Sequence, residues 1–304
     1  MNFKLVTQCV DSDPNSNCPA LKTLLVSSED SDRSFSRFGI DECYIYNPTT
    51  NHYVKLPKPG IVNGVPRFIR GVNVAFDHAK FASYSVVCVR ESAVSSGLMQ
   101  IEIYSTTSRE WRVSGDPFSA KVDFDYGVYW NGSIHWIQYM TGEVLYFNVD
   151  QERLGVVPMV NKPKPDGKWG RKLDYFGESC DHLHLIESYD SEIEFNVYEM
   201  KRDYSEWFVK YKVDLTIVAD AFPEVTSKYA YIDRVGYLFS VFSLVRGVKE
   251  EDSFLVFLIA SRVFRFNLER QTFEEIYEFA TSVRCPLRFM GPCAFEYIES
   301  LAGV

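Results

Sequence analysis

Cys180, Asp181, His182 and His184 fall within one short run, and all four are metal-ligand types. On a strand, His182 and His184 share a face. A zinc site needs about four ligands, and no second Cys/His cluster lies at finger spacing. His184 also matches His135 of an internal repeat described below, so a structural place in that repeat explains it better, and no metal is assigned. Asp123 and Asp125 in VDFDYG are paired carboxylates of the kind that hydrolyse glycosides. Strand alternation puts them on one face ahead of Gly127, where solvation of a surface edge accounts for both. A GxSxG elbow, a P-loop and a dinucleotide fingerprint are absent, so no catalytic residue and no cofactor is implied.

The remaining candidate site is one for binding. Trp111, Trp136 and Trp207 fall in repeat strands, and Trp130 precedes an Asn-Gly turn, so all four read as structural. Trp169 lies instead in NKPKPDGKWGRK, a Pro/Gly-rich stretch with Lys162, Lys164, Lys168, Arg171 and Lys172 against one Asp166. A tryptophan among cations in a loop has the composition of a binding hot spot. Lys164, Lys168, Trp169 and Arg171 are therefore the expected partner-binding residues, set against a Trp169 that folds back onto its own sheet.

The chain that must position these residues has 304 of them, 46% hydrophobic and 15% aromatic, with 23 Phe and 19 Tyr. Such a composition suits half-buried strands and a large core. A net charge of −9 argues against nucleic acid or an anionic membrane as the main partner. Seven scattered cysteines without a CxxC pair read as reduced thiols, and the first residues lack the apolar run of a signal peptide. No stretch of about 18 apolar residues suggests a membrane span. The expected location is the cytoplasm, the nucleus or both.

Five segments share one pattern: CYIYNPTTNHYVKLP, IEIYSTTSREWRVSG, VLYFNVDQERLGVVP, FNVYEMKRDYSEWFVKY and VFRFNLERQTFEEIY. Each has a strand ending in an aromatic, a polar turn, then a strand opened by a large apolar residue, which spells an antiparallel hairpin. Tyr46 precedes Tyr53 by seven, as Tyr104 does Trp111, Phe147 does Leu154 and Phe266 does Phe273. Tyr198 precedes Trp207 by nine, read as a two-residue insertion. Asn47, Asn148 and Asn267 follow the first aromatic, where an Asx side chain starts a turn. The first aromatics stand 58, 43, 51 and 68 residues apart, and His135 and His184 stand 49 apart. A period near 50 with about four strands per unit is that of propeller blades. The expected fold is an all-β propeller of roughly six four-stranded blades, its first blade open to being incomplete and the gap from 198 to 266 to holding an extra partial blade. Residues 1–37 read as a polar, poorly structured lead and 38–304 as the propeller domain.

At Tyr46-Asn47-Pro48-Thr49-Thr50, followed by Leu56-Pro57, the chain resembles the plant F-box-associated domain, here of a kelch-like propeller type. NPTTNHYVKLP, AFDHAKFASYSVVCV, IEIYSTTSREW, WNGSIHWI and LYFNVDQERLGVVP match that family's segments in order across residues 43–159. The later hairpins extend the likeness to about residue 280. The resemblance implies a module that holds a protein substrate for an SCF-type ubiquitin ligase. Family members carry an N-terminal F-box that docks on the Skp adaptor, and residues 1–41 show no such motif. Skp and cullin partners are thus expected only if an F-box equivalent exists. Two alternatives stand beside this reading: a propeller hydrolase using the paired carboxylates, and a truncated remnant without function.

In a propeller the hairpin turns at 47–52, 105–110, 148–153 and 267–272 share one face. The longer connections at 58–71, 91–98, 114–126, 160–172, 214–230 and 246–252 are expected on the other. Recognition commonly sits on such loops, so the long-loop face is the expected binding face.

Overall fold

The computed structural model describes residues 2–7, 23–28, 42–47, 52–59, 61–62, 65–76, 84–138, 141–160, 171–189, 193–222, 226–228, 235–237, 239–259 and 262–278. Five four-stranded antiparallel sheets run along the chain, each built from consecutive strands. The first holds β1 (Asn2–Thr7), β2 (Thr23–Ser28), β3 (Glu42–Asn47) and β4 (His52–Leu56). After a small hairpin of β5 (Ile61–Val62) and β6 (Val65–Pro66), the second holds β7 (Ile69–Phe76), β8 (Tyr84–Glu91), β9 (Met99–Ser105) and β10 (Glu110–Phe118). The third holds β11 (Val128–Trp130), β12 (Ser133–Ile137), β13 (Val144–Asn148) and β14 (Arg153–Val157). The fourth holds β15 (Arg171–Ser179), β16 (His182–Tyr189), β17 (Glu194–Met200) and β18 (Trp207–Asp214). Helix α1 (Thr216–Ala221) and a hairpin of β19 (Thr226–Lys228) and β20 (Val235–Tyr237) lie within the long 198-to-266 gap. The fifth sheet holds β21 (Phe239–Val245), β22 (Phe254–Ile259), β23 (Arg262–Asn267) and β24 (Thr272–Glu278).

The five hairpins read from the sequence are the last two strands of the five sheets. Their register explains the seven-residue spacing. Tyr46 pairs with Tyr53, Tyr104 with Trp111, Phe147 with Leu154 and Phe266 with Phe273. The fourth hairpin corrects the expected insertion. Trp207 pairs with Met200, seven residues before it, and Tyr198 pairs with Val209 in the same register, just before the ladder shifts between Tyr198 and Val197. Met200 holds the aromatic's position, and the turn keeps its ordinary length. The Asx turns form as expected where described: Asn148 Oδ1 accepts from Gln151 N, and Asn267 Oδ1 from Arg270 N at 2.7 Å. Arg109, Glu152 and Gln271, each five residues after the aromatic, share a left-handed backbone with φ of 57°, 55° and 51°. One hairpin geometry thus recurs where no glycine supplies it.

Two of the first sheet's strands, β1 and β2, fall within residues 1–37, read above as a polar, poorly structured lead. TLLVSS and NFKLVT are short β-forming runs embedded in Ser, Asp and Asn, which mask them in the composition. The first sheet is complete with them.

The chain divides into two compact units, the first taking residues 1–138 and 143–157 and the second most of what lies beyond Pro158. In the first unit the second sheet has both faces buried. Val86 and Cys88 on β8 pack against Cys43, Ile45 and Leu56 of the first sheet. Val87 and Val89 pack with Ile134, Trp136 and Phe147 of the third. That alternation is why YSVVCVRE reads as a nearly continuous apolar run. A short 3-10 turn, Phe124–Tyr126, seals this stack. Asn73 on β7 donates to Phe124 O at 3.0 Å and accepts from Gly127 N at 2.8 Å. At Gly71 a Cβ would stand 2.0 Å from Phe124 O, so the close approach requires glycine. In the second unit one cluster joins Ile186, Val197, Tyr211 and Val213 of the fourth sheet to Leu244, Phe257, Phe264 and Phe266 of the fifth, with Leu215 and Val218 at α1.

Candidate functional site

Lys164, Lys168 and Trp169 lie outside the described residues. Arg171 opens β15, its backbone opposite Tyr189, and its side chain also lies outside them. The other tryptophans hold the structural places expected of them. Trp130 and Trp136 are buried. The Trp111 indole donates to Pro57 O at 2.7 Å, and the Trp207 indole donates to Pro158 O at 2.9 Å. Pro57 and Pro158 each directly follow the last strand of a sheet, so one contact is repeated at matching positions.

Strand pairing sorts the loops of each sheet by end. Met99 pairs with Glu91 and Ser105 with Glu110, so loop 92–98 lies opposite the 105–110 turn, as expected for a long-loop connection. It is closed by Ser92 N donating to Leu98 O at 2.8 Å, and it projects Val94, 88% exposed. Loop 246–253 behaves differently, and this corrects the expectation for 246–252. Val245 pairs with Phe254, Phe254 with Asn267 and Asn267 with Thr272, so the loop sits at the hairpin-turn end of its sheet. The reason is strand order: β21 and β22 are the first two strands, and their connection shares an end with the turn between the last two.

Loop 246–253 is firmly built. Arg246 N donates to Ser179 Oγ at 2.9 Å, and Gly247 N to Ser253 Oγ at 3.1 Å. A Cβ at Gly247 would stand 2.6 Å from Asp252 Cβ, so the tight turn needs glycine. Glu250 reaches across to Lys210 and Tyr211 of β18. Burial pushes the Glu250 carboxyl up, yet these bonds hold it below its ordinary value. Val248 at the tip is 80% exposed.

The residues with chemical potential resolve as follows. Cys180 and Asp181 form the turn between β15 and β16, both with positive φ, and match Asn131 and Gly132 between β11 and β12. His184 and His135 then occupy the same place on the second strand of their sheets, both fully buried. Burial drives the His135 pKa down to about 4, against the opposing pull of the Val128 and Ser133 backbones. Burial likewise lowers His184, partly offset by Glu199. Among the described residues no group of three or more His, Cys, Asp and Glu is arranged to hold a metal. Asp123 and Asp125 are not strand neighbours. Asp123 caps the 3-10 turn, its Oδ1 accepting from Asp125 N at 3.0 Å, which gives it a structural task.

The sequence reading missed the buried charges. Arg90 and Glu102 pair at 2.6 Å with side chains 2% and 6% exposed, and Glu199 and Arg246 pair at 2.9 Å. The available signal was a charge set among apolar neighbours, as in IEIY and VYEM, where a half-buried strand would hold it outward.

Five antiparallel sheets repeating one hairpin define an all-β repeat protein. No family model matches the chain. It is similar to F-box protein At5g07610 of Arabidopsis thaliana, 32% identical over 283 residues, covering 86% of this chain and 64% of the relative's length. That supports the likeness to F-box-associated proteins of plants read from the motifs. Solved structures overlap more loosely. A protein assigned as a 6-phosphogluconolactonase from Bacteroides fragilis aligns over 89% of this chain and 69% of its own at 13% identity, with a TM-score of 0.44. An auxiliary nutrient binding protein from Bacteroides ovatus aligns over 90% and 60% at 12% identity, with a TM-score of 0.41. No helix among the described residues is long and apolar enough to cross a membrane.

Proposed function

We propose that the chain is a non-catalytic protein-binding module, the substrate-holding part of an F-box-type ubiquitin ligase receptor, acting in the cytoplasm, the nucleus or both. The observation that carries this reading is the similarity to an F-box protein across 86% of the chain. A kelch-like propeller of roughly six blades is the architecture this reading favours. The five four-stranded sheets, with the β19–β20 hairpin between the fourth and fifth, support that architecture. Rigid stacked sheets bearing varied loops suit capture of a partner, since ordering costs are met by the scaffold. The four cation and tryptophan positions Lys164, Lys168, Trp169 and Arg171 remain the proposed contact residues.

The test is co-purification of the chain with a Skp adaptor, beside a version carrying a grafted F-box. Binding of the native chain to the adaptor places a docking surface within these 304 residues. Binding of the graft alone makes the chain a recognition domain, provided that it retains proteins which the F-box without this chain does not. A graft that joins the adaptor yet retains nothing further overturns the reading.

A further inference from the structure

One carboxylate in the second unit serves three bases. Glu199 on β17 lies directly opposite His184 on β16, and its side chain is 9% exposed. Its Oε2 accepts from Arg246 Nη1 at 2.9 Å. The same oxygen stands 3.4 Å from His184 Nε2, and Oε1 stands 3.9 Å from His182 Nε2. His184 is wholly buried, and neither of its ring nitrogens has a hydrogen-bond partner. Its imidazole therefore waits beside a carboxylate already engaged by arginine. The two imidazole planes are inclined by 30° with centroids 6.4 Å apart, and one Nε2 stands by each carboxylate oxygen.

Arg246 is the first residue of loop 246–253, so its bond to Glu199 ties that loop to the fourth sheet. From the geometry we propose that His182, His184, Glu199 and Arg246 form an acid-sensitive latch that holds loop 246–253 closed at neutral pH and releases it on acidification. With both imidazoles neutral, Glu199 has one cationic partner. Each proton taken up adds a cation that competes with Arg246 for the same oxygens and repels its guanidinium. Lys210 and Tyr211 on β18 and Glu250 in the loop also face the cluster, Arg246 Nη2 stands 3.6 Å from Glu250 Oε1, and the Asp181–Arg202 ion pair flanks His182. Lys210 opposes protonation of His184, and Glu250 and Glu199 favour it. Burial is the largest influence and lowers the His184 pKa, so the closed state is intact above the ordinary histidine value of about 6.5 and weakens as pH falls below it. This device stands independently of the proposed ligase role.

The test is amide hydrogen exchange on the full chain between pH 7.5 and 5, corrected for intrinsic rates. The loop amides Arg246, Gly247, Asp252 and Ser253 are compared with loop 92–98, whose bonds involve no titratable side chain. Protection at 246–253 is expected to fall about tenfold, while loop 92–98 holds. The double variant H182Q/H184Q is expected to keep protection across the range. R246M is expected to exchange fast already at neutral pH, with a flat profile, which reads the latch even if the double variant fails to fold. The proposal is overturned if the two wild-type loops respond alike, if H182Q/H184Q keeps the wild-type response, or if R246M still loosens with acid.

Discussion

At the scale of single residues, burial pushes down the pKa values of His135 and His184. His135 has no exposed surface, stacks on Tyr146 with centroids 5.7 Å apart, and has its Nδ1 3.2 Å from Val128 O. Its folded pKa of about 4 lies below the unfolded value near 6.5. The unfolded chain therefore binds more protons in that window. Stability is fully present above pH 6.5 and is lost as pH falls toward 4, by about 3 kcal/mol from this residue when integrated over the shift. Urea unfolding at pH 7 and pH 5 should show a drop of about 2 kcal/mol attributable to His135. In His135→Phe that share should vanish, because a ring of similar shape keeps the stack and carries no proton. An undiminished acid loss in His135→Phe would assign the sensitivity to other groups.

At the scale of elements, the hairpins were legible and the loops between them were not. Seven-residue spacing and Asx turns are local properties, and cross-strand pairing at Tyr104 and Trp111 or Phe147 and Leu154 follows from them. The fourth hairpin was misaligned because an aromatic was sought where Met200 stands. Asp123 was placed on a strand because alternation alone does not distinguish a short extended run from a capped 3-10 turn. Loop 246–252 was placed at the wrong end because the order of strands within a sheet is a non-local fact. The partnership of Glu199 with Arg246 was hidden for the same reason: 47 residues separate them. The loop joining the third and fourth sheets stays the element on which binding is predicted. Replacing residues 160–170 with a short Gly/Ser linker and adding Arg171→Thr, which keeps the β15 backbone, should abolish partner capture while leaving the circular dichroism spectrum and melting midpoint little changed. A pull-down unchanged by the exchange, on a protein shown to be folded, removes Lys164, Lys168, Trp169 and Arg171 from the contact surface.

At the scale of the molecule, repeated sheets depend on their neighbours. No four-stranded sheet can bury both faces alone, so stability comes from stacking, and an unfinished sheet leaves an edge that pairs with other chains. The first sheet is the place to test this. Its strand β3 carries Cys43 and Ile45, both fully buried against the second sheet, and β3 is flanked by β2 on one side and β4 on the other. Deleting residues 1–28 removes β1 and β2 and turns β3 into a bare edge. The full chain should run as a single species in size-exclusion chromatography with light scattering at tens of micromolar, and the deletion should self-associate and melt earlier. The same comparison separates a working module from a broken remnant, because a remnant would aggregate at full length. If the deletion stays monomeric with an unchanged midpoint, the sheet does not need its first two strands, and the boundary near residue 38 suggested by the polar composition is the true start of the domain.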